Sequence, residues 1–322
     1  MRLSMIIVSW NVRNELLDCL RSIQQNPPSH RYEVIVVDNA STDGTADAVQ
    51  EEFPDVTLIV NTENRGFAAA NNVGIRKSQG EYVLILNPDT IIPSHSLDVL
   101  VTFMDTNKEV GASGPRLLNF DGTTQQSIHR FPSFRGALHR HTAFKFLGVF
   151  KREYKKWIMK DVTYDHQMDV DQVMGAALMT RRSLLDSVGL MDERFFMYYE
   201  EVDLCYRVKE AGWRIVYVPE STITHLGGCS SRQVPAGKHL MAMTSLLLFF
   251  RKHRGTLTTG AFACIFKPAL VINDLIEIVA GILKYTFAMV TFNKRNREKA
   301  LNKIRKAATL LVKYSWASLF RV

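Results

Sequence analysis

Asn87-Pro88-Asp89 closes a short apolar run at 83–86. Such a run reads as a strand buried on both faces. Pro88 cannot donate to a sheet ladder and biases Asn87 away from helix, so Asp89 arrives at the carboxyl end of that strand. Ligands of open α/β sheets bind at that edge. A carboxylate there holds a divalent cation, and the cation holds phosphate oxygens. The alternative is a turn carboxylate bonding its own backbone. A second stretch, Glu200-Glu201-Val202-Asp203, puts three carboxylates in four positions at the start of a predicted helix, beside Phe195, Phe196, Tyr198 and Tyr199. Acids suit a helix N-terminus, but this crowding exceeds what capping needs. A carboxylate against aromatic surface has a raised pKa and serves as a base. Third, His225 ends a predicted strand before Gly227-Gly228. A lone histidine is usually structural, but one at a strand end before such a turn is a better ligand candidate.

These side chains need a scaffold, and the periodicity supplies one. Apolar runs at 5–10, 34–37, 56–60 and 83–86 read as buried strands. Helical spacing follows each of the first three, over 14–24, 46–53 and 68–78, with Ser41, Thr42 or Asp43 able to cap the second helix. Alternation at this spacing implies right-handed βαβ crossovers and a parallel sheet. Further on, 97–107 reads as a helix, 110–118 as a strand interrupted by Gly114-Pro115, and 173–179 as a strand. Gly175 and Ala176 in that last strand let a ligand approach the backbone. From 123 to 171 the periodicity fades into a basic, aromatic-rich stretch, expected as a functional or mobile loop, or as a disordered basic surface loop. No Gly-x-Gly-x-x-Gly follows the first strand, and no Gly-Lys-Ser/Thr loop occurs, so dinucleotide and P-loop fingerprints are missing.

The 322 residues suffice for one large α/β domain plus an appendage, with 46% hydrophobic and 22% charged residues, as in a globular protein. Cys19, Cys205, Cys229 and Cys264 form no Cys-x-x-Cys pair, which disfavours zinc and a disulfide framework and points to a reducing, cytosolic compartment. The first apolar run is too short for the core of a signal peptide. Charge is uneven: residues 251–322 hold 14 Lys and Arg against 3 Asp and Glu, a net of +11, and residues 1–250 carry −3. That tail is apolar over 261–292 but broken by Lys267, Asp274, Glu277 and Lys284, so no clean membrane span is expected. Its basic residues, with Tyr314, Trp316 and Phe320, suit an anionic membrane surface. The alternative is a helical hairpin packed on the enzyme or on a second subunit. Nucleic acid is not expected, because no nucleic-acid motif accompanies the charge.

Taken in order, the motifs resemble family 2 glycosyltransferases of the GT-A fold. The matching pieces are Val8-Ser9-Trp10-Asn11, Val37-Asp38-Asn39-Ala40-Ser41-Thr42-Asp43-Gly44-Thr45, Asn64-Arg65-Gly66-Phe67-Ala68, Asn71-Asn72-Val73-Gly74, Leu86-Asn87-Pro88-Asp89, Glu200-Glu201-Val202-Asp203-Leu204-Cys205-Tyr206-Arg207 and His225-Leu226-Gly227-Gly228. Each piece alone is weak, but seven in one order over about residues 3–250 are specific. Asn-Pro-Asp and the Glu-x-Val-Asp-Leu-Cys block are most similar to bacterial rhamnosyltransferases that use dTDP-rhamnose. The resemblance implies an α/β fold with a Rossmann-like, mostly parallel central sheet flanked by helices, a glycosyltransferase domain at 1–250, and a basic, amphipathic, membrane-associating helical region at 251–322.

It also implies roles. Val8, Ser9, Trp10 and Asp38 lie where the nucleobase binds, and Arg65 and Gly66 where ribose and diphosphate are contacted; Asn71, Asn87 and Gly175 join the donor-binding set. Asp89 matches the last acid of the family's Asp-x-Asp motif, with Asn87 in place of the first, and His225 helps hold the metal–diphosphate. Mg²⁺ or Mn²⁺ is the implied cofactor. Glu201 stands where the catalytic base is usually Asp, and Asp203 is its catalytic neighbour, orienting or structural through Arg207. The implied reaction is inverting transfer from a dTDP- or UDP-sugar to a lipid-linked or polysaccharide acceptor, at the cytoplasmic face of a bacterial membrane, by a peripheral enzyme that could be a homo-oligomer. The departures at Asn87 and Glu201 leave an alternative, a membrane-associated scaffold that binds nucleotide sugar with weakened catalysis. A sugar nucleotidyltransferase would need a Gly-rich basic loop after the first strand, and residues 9–15 lack one.

Overall fold

A computed structural model describes residues 1–228, 235–291 and 294–317. Cys229, Ser230, Ser231 and Phe320 lie outside these, as do the side chains of Tyr314 and Trp316. In chain order the elements are β1 (Leu3–Ser9), α1 (Arg13–Gln25), β2 (Tyr32–Asp38), α2 (Thr45–Glu52), β3 (Thr57–Val60), α3 (Phe67–Lys77), β4 (Tyr82–Leu86), β5 (Thr90–Ile91), α4 (Ser96–Thr106), β6 (Val110–Leu118) and β7 (Ile128–His129). Next come α5 (Phe134–His141), α6 (Lys151–Trp157), β8 (Met168–Asp169), β9 (Gln172–Val173), β10 (Ala177–Arg181), α7 (Arg182–Val188), α8 (Glu200–Glu210) and β11 (Arg214–His225). Three helices finish the described chain: α9 (Pro235–Arg254), α10 (Thr256–Val290) and α11 (Lys294–Ala317).

Two compact units result, one from residues 1–131 with 161–233, the other from 132–160 with 234–322. This division differs from a single boundary at 250. In the second unit Phe134 lies 4.5 Å, centroid to centroid, from Phe250 and 4.6 Å from Phe262, so α5 shares a core with α9 and α10. The stretch 123–171 is accordingly not a loop: it holds β7, α5, a 3₁₀ turn at Ala143–Lys145, α6 and β8. Its helices are short, so few turns are available to establish a period.

The first unit is built on a nine-stranded sheet of order β3-β2-β1-β4-β10-β6-β11-β5, with β8 also on β11. β3, β2, β1 and β4 run parallel, β10 is antiparallel to β4 and β6, β11 is parallel to β6, and β5 is antiparallel to β11. The sheet is therefore mixed, with a parallel half as expected. All five residues of β4 are buried, as its apolar sequence requires. β6 runs unbroken through Gly114-Pro115, whereas the predicted strand at 173–179 is split by Met174, Gly175 and Ala176.

α3 packs on the parallel half through a missing side chain. A Cβ on Gly74 would lie 2.5 Å from Ile6 Cγ2 and 3.3 Å from Val37 Cγ2, and Ile6 and Val37 are fully buried. Gly74→Ala is expected to destabilise the protein by about 1–2 kcal/mol, because overpacking outweighs the better helix propensity of alanine. A thermal melt reads this as a lower Tm, and an unchanged Tm would show that α3 does not bear on β1.

Candidate active site

The site lies at the carboxyl ends of β1, β2 and β4. Ser9 and Asp38 are partners in the β1–β2 register, so their side chains leave the sheet on one side. Both are buried, and Ser9 Oγ and Asp38 Oδ1 have no hydrogen-bond partner. Burial raises the Asp38 carboxyl pKa, against hydrogen bonds from Ser41. An unpaired donor–acceptor and an unpaired acceptor side by side are poised for a flat, hydrogen-bonding ligand edge. Val8 is buried beside them and Trp10 half-buried. The loops after β1 and β2 are stitched together: Asn11 N donates to Ser41 Oγ at 3.0 Å, Thr42 N to Asn11 Oδ1 at 2.7 Å, and Arg13 N to Asp43 Oδ2 at 3.0 Å.

Asn39, given no role by the sequence beyond its motif, is the clamp of the next loop. Its amide nitrogen donates to Asn64 Oδ1 at 2.9 Å and the Gly66 carbonyl at 3.3 Å, and its Oδ1 accepts from Arg65 N at 3.1 Å and Asn61 Nδ2 at 3.0 Å. Gly66 has φ +81°, and a Cβ there would stand 2.4 Å from the Phe196 carbonyl oxygen, so only glycine fits. Phe67 N then donates to that oxygen at 2.7 Å. Arg65 is exposed. Asn71 is buried with Oδ1 unpartnered, while its neighbour Asn72 is structural, bonding Met191 through both N and O.

At the end of β4 the two expected metal ligands meet. Thr90 pairs with His225 in the antiparallel β5–β11 ladder. His225 Nε2 lies 3.3 Å from Asp89 Oδ1 and 3.2 Å from Asn87 Nδ2, and Asp89 and His225 are both buried. Gln125, absent from every motif, sets the ring. Its Nε2 donates to the His225 carbonyl at 2.5 Å, which turns Oε1 toward His225 Nδ1 at 3.0 Å. An acceptor at Nδ1 makes that nitrogen a donor and fixes the ring so that Nε2 faces the Asp89 carboxylate, where it could join the carboxylate on a cation. One imidazole and one carboxylate fit a divalent cation that takes its other ligands from phosphate oxygens and water. Among the described residues no group of three or more His, Cys, Asp and Glu side chains forms a fuller cage.

The acids of α8 lie one step away. Asn87 N donates to the Ala176 carbonyl at 2.9 Å, and a Cβ on the preceding Gly175 would lie 3.3 Å from Glu201 Cβ. Gly175 thus makes room for the glutamate side chain. Tyr198 and Tyr199 enter α8 with φ of +69° and +70°. Left-handed backbone at bulky residues costs about 1–2 kcal/mol apiece and concentrates where function fixes the chain. Glu200 and Glu201 each keep a buried carboxyl oxygen without a hydrogen-bond partner. Burial, then repulsion from Glu201, holds the Glu200 pKa well above the usual range; burial also raises that of Glu201, against backbone hydrogen bonds that include Gly175. Asp203 is elsewhere: fully buried, it accepts from Arg207 Nε at 2.9 Å, and Arg207 binds the carbonyls of Val188, Gly189 and Leu190. Through Arg207 it is tied to the 188–190 turn.

Three comparisons bear on this arrangement. A family model described as Glycosyl transferase family 2 matches residues 4–170. The N-acetylglucosaminyl-diphospho-decaprenol L-rhamnosyltransferase of Mycobacterium tuberculosis (strain ATCC 25618 / H37Rv) is 33% identical over 223 residues, 65% of this chain and 71% of the relative. Rhamnosyltransferase WbbL of Escherichia coli (strain K12) is 28% identical over 169 residues, 50% of this chain and 60% of the relative. Among solved structures, the mannosyltransferase PcManGT from Pyrobaculum calidifontis, in complex with GDP-Man and Mn²⁺, has a TM-score of 0.55 at 20% identity, covering 98% of this chain and 88% of that one.

The raised Glu200 pKa has a sign that can be checked. A carboxyl whose folded pKa exceeds its unfolded value, about 4.3, stabilises the fold below that value and loses the contribution as pH rises through the folded pKa. Glu200→Gln keeps the shape without the charge. Its Tm relative to the parent is therefore expected to rise steadily from acid to neutral pH. A Tm difference that stays flat with pH would mean that Glu200 is not held protonated by the fold.

Proposed function

The chain belongs to glycosyl transferase family 2, and from that premise we propose that it is an inverting rhamnosyltransferase, taking L-rhamnose from dTDP-rhamnose to a lipid-linked or cell-surface polysaccharide acceptor. It is a glycosyltransferase, with a nucleotide-sugar donor and a glycan acceptor. The observation that carries the finer reading is the continuous path from Asp89 and His225 through Asn87, Ala176 and Gly175 to Glu201. It joins a diphosphate-side site to a base-side site within one strand end. The rhamnosyl specificity and the lipid-linked acceptor are supported by the relatives' names, the mycobacterial one being that of an enzyme for a diphospho-decaprenol acceptor.

On this reading Ser9 and Asp38 receive the nucleobase edge, Val8 and Trp10 flank it, and Arg65, Gly66 and Asn71 lie along the ribose and diphosphate. Asp89 and His225 would hold Mg²⁺ or Mn²⁺, oriented by Gln125 and Asn87; bound there, the cation would offset charge on the leaving diphosphate. Glu201 takes the proton of the acceptor hydroxyl as its oxygen attacks the anomeric carbon, the bond from that carbon to the phosphate oxygen breaks, and the centre inverts. No covalent sugar–enzyme intermediate and no second flanking carboxylate are needed. The raised Glu201 pKa suits a base that works near neutrality. The setting proposed is the cytoplasmic face of a bacterial membrane, held peripherally by the basic helical unit.

Glu201→Gln is expected to lower turnover by about 10²–10⁴-fold with donor affinity little changed, and Glu201→Asp to retain activity. Asp203→Asn should instead lower Tm. Near-normal turnover of Glu201→Gln, with loss in Asp203→Asn at intact stability, would move the base to Asp203. The donor is tested by thermal stabilisation with dTDP-rhamnose against UDP- and GDP-sugars, with and without Mn²⁺, and by nucleoside diphosphate release on adding acceptor. Equal or greater stabilisation by another nucleotide sugar would overturn the rhamnose assignment.

A further inference from the structure

Charge divides by unit more sharply than by position in the sequence. The unit of residues 132–160 and 234–322 holds 23 Lys and Arg against 4 Asp and Glu, a net of +19, which leaves −11 for residues 1–131 and 161–233. The positive unit contains a helix with its polarity reversed. Along α10, Ile272, Leu275, Ile276, Val279, Ile282 and Leu283 are 40–65% exposed. Their spacing of three and four residues makes one continuous stripe. Every exposed residue from Pro268 to Leu283 is apolar. The polar residues of that span face inward: Asn273 and Asp274 are buried, and Glu277 pairs with Lys145 and Lys303. Gly281 is also inside, where a Cβ would meet Ile304 of α11 at 2.6 Å. A helix on a water-facing surface has the opposite arrangement.

We propose that the α10 stripe inserts into the acyl boundary of an anionic membrane leaflet, with α10 lying in the plane of the interface. This rests on the peripheral membrane reading above and assigns its penetrating surface. Among the described residues no helix is long and apolar enough to cross a membrane, so the stripe enters one leaflet only. Charge selects the occupant. Two copies of a +19 unit repel each other, whereas anionic headgroups attract each Lys and Arg brought near them. A lipid surface satisfies stripe and charge together, as a basic helix with an apolar face does.

The test uses the full chain and vesicles of phosphatidylcholine with or without phosphatidylglycerol. Wild type is expected to bind the anionic vesicles, and Leu275→Asp/Val279→Asp to bind them about tenfold or more weakly at wild-type Tm. Val60→Asp, at an exposed apolar site on the other unit, should bind as wild type. A measurement independent of that pair is Val279→Trp, whose emission should shift to the blue with anionic vesicles and be quenched by brominated lipids. Asn302→Trp, exposed on α11, should be quenched less. Salt-sensitive binding that survives the double substitution, with Val279→Trp unquenched, overturns insertion and leaves electrostatic attachment standing. Absence of vesicle binding by wild type overturns both readings. A dimer in sedimentation that the double substitution dissociates gives the stripe to a second copy and overturns the proposal.

Discussion

The pairing of Thr90 with His225 is two residues long on the β5 side, yet the site depends on it. It closes a chain segment of well over a hundred residues, an entropic cost that grows only slowly with length but that two ladder pairs cannot meet alone. The rest of β11 meets it: from Arg214 onward β11 lies along β6, and β6 is tied through β10 to β4. The sheet thus fixes the position of His225 before β5 is reached, and Leu226 N donating to the Asp89 carbonyl at 2.9 Å completes the join. Asp89 is held from both sides, by its own strand end and by the far end of β11. Without that second hold, Asn87-Pro88-Asp89 would be the ordinary turn that its sequence equally allows.

Glu201, the proposed base, is placed by a different device. α8 begins after a loop that is bonded, not merely packed, to the start of α3: Phe67 N and Gly66 both meet the Phe196 carbonyl. Two tyrosines in left-handed backbone then turn the chain into α8, while Arg207 ties its first turn, through Asp203, to the 188–190 carbonyls. Opposing holds of this kind let a helix start with two adjacent carboxyls pressed into apolar surroundings. Burying that pair disfavours the fully ionised state and raises the pKa of both carboxyls, that of Glu200 well above the usual range.

The parallel half of the sheet was legible because each of its strands is a short apolar run and each crossover helix repeats its apolar residues at helical spacing. Asp38 and Asp89 were legible for the same reason, as carboxylates at the ends of buried strands, Asp38 directly after its apolar run and Asp89 after Asn87-Pro88. The reversal at β10 was not, since strand direction leaves no mark on a run such as Ala177–Arg181 whose five residues are all buried. Gln125 left no trace because its partner is 100 residues away and its own neighbourhood lacks a period. Asn39 sat inside a quoted motif, but only the folded loop shows that one amide satisfies four groups. The stretch from Pro132 to Lys160 failed for a related reason: α5 and α6 are short, and their apolar faces complete a core whose other half lies beyond residue 234.

The two units differ in the sign of their net charge. The unit bearing the site carries −11, and on the proposed reading its donor brings two further phosphates. Net charge therefore opposes donor approach, and on the proposed reading local groups would reverse it: the exposed Arg65 and a cation between Asp89 and His225. On that reading the cation would be more than an aid to the leaving group, since one carboxylate and one imidazole cannot attract a diphosphate unaided. The helical unit solves the converse problem. On the proposed membrane reading its +19 would draw it to an anionic leaflet, where the net charge of the site-bearing unit alone would be repelled. If both proposals hold, an acidic site-bearing unit and a basic helical unit in one chain separate the two requirements, so donor affinity would follow the metal while membrane affinity would follow lipid charge.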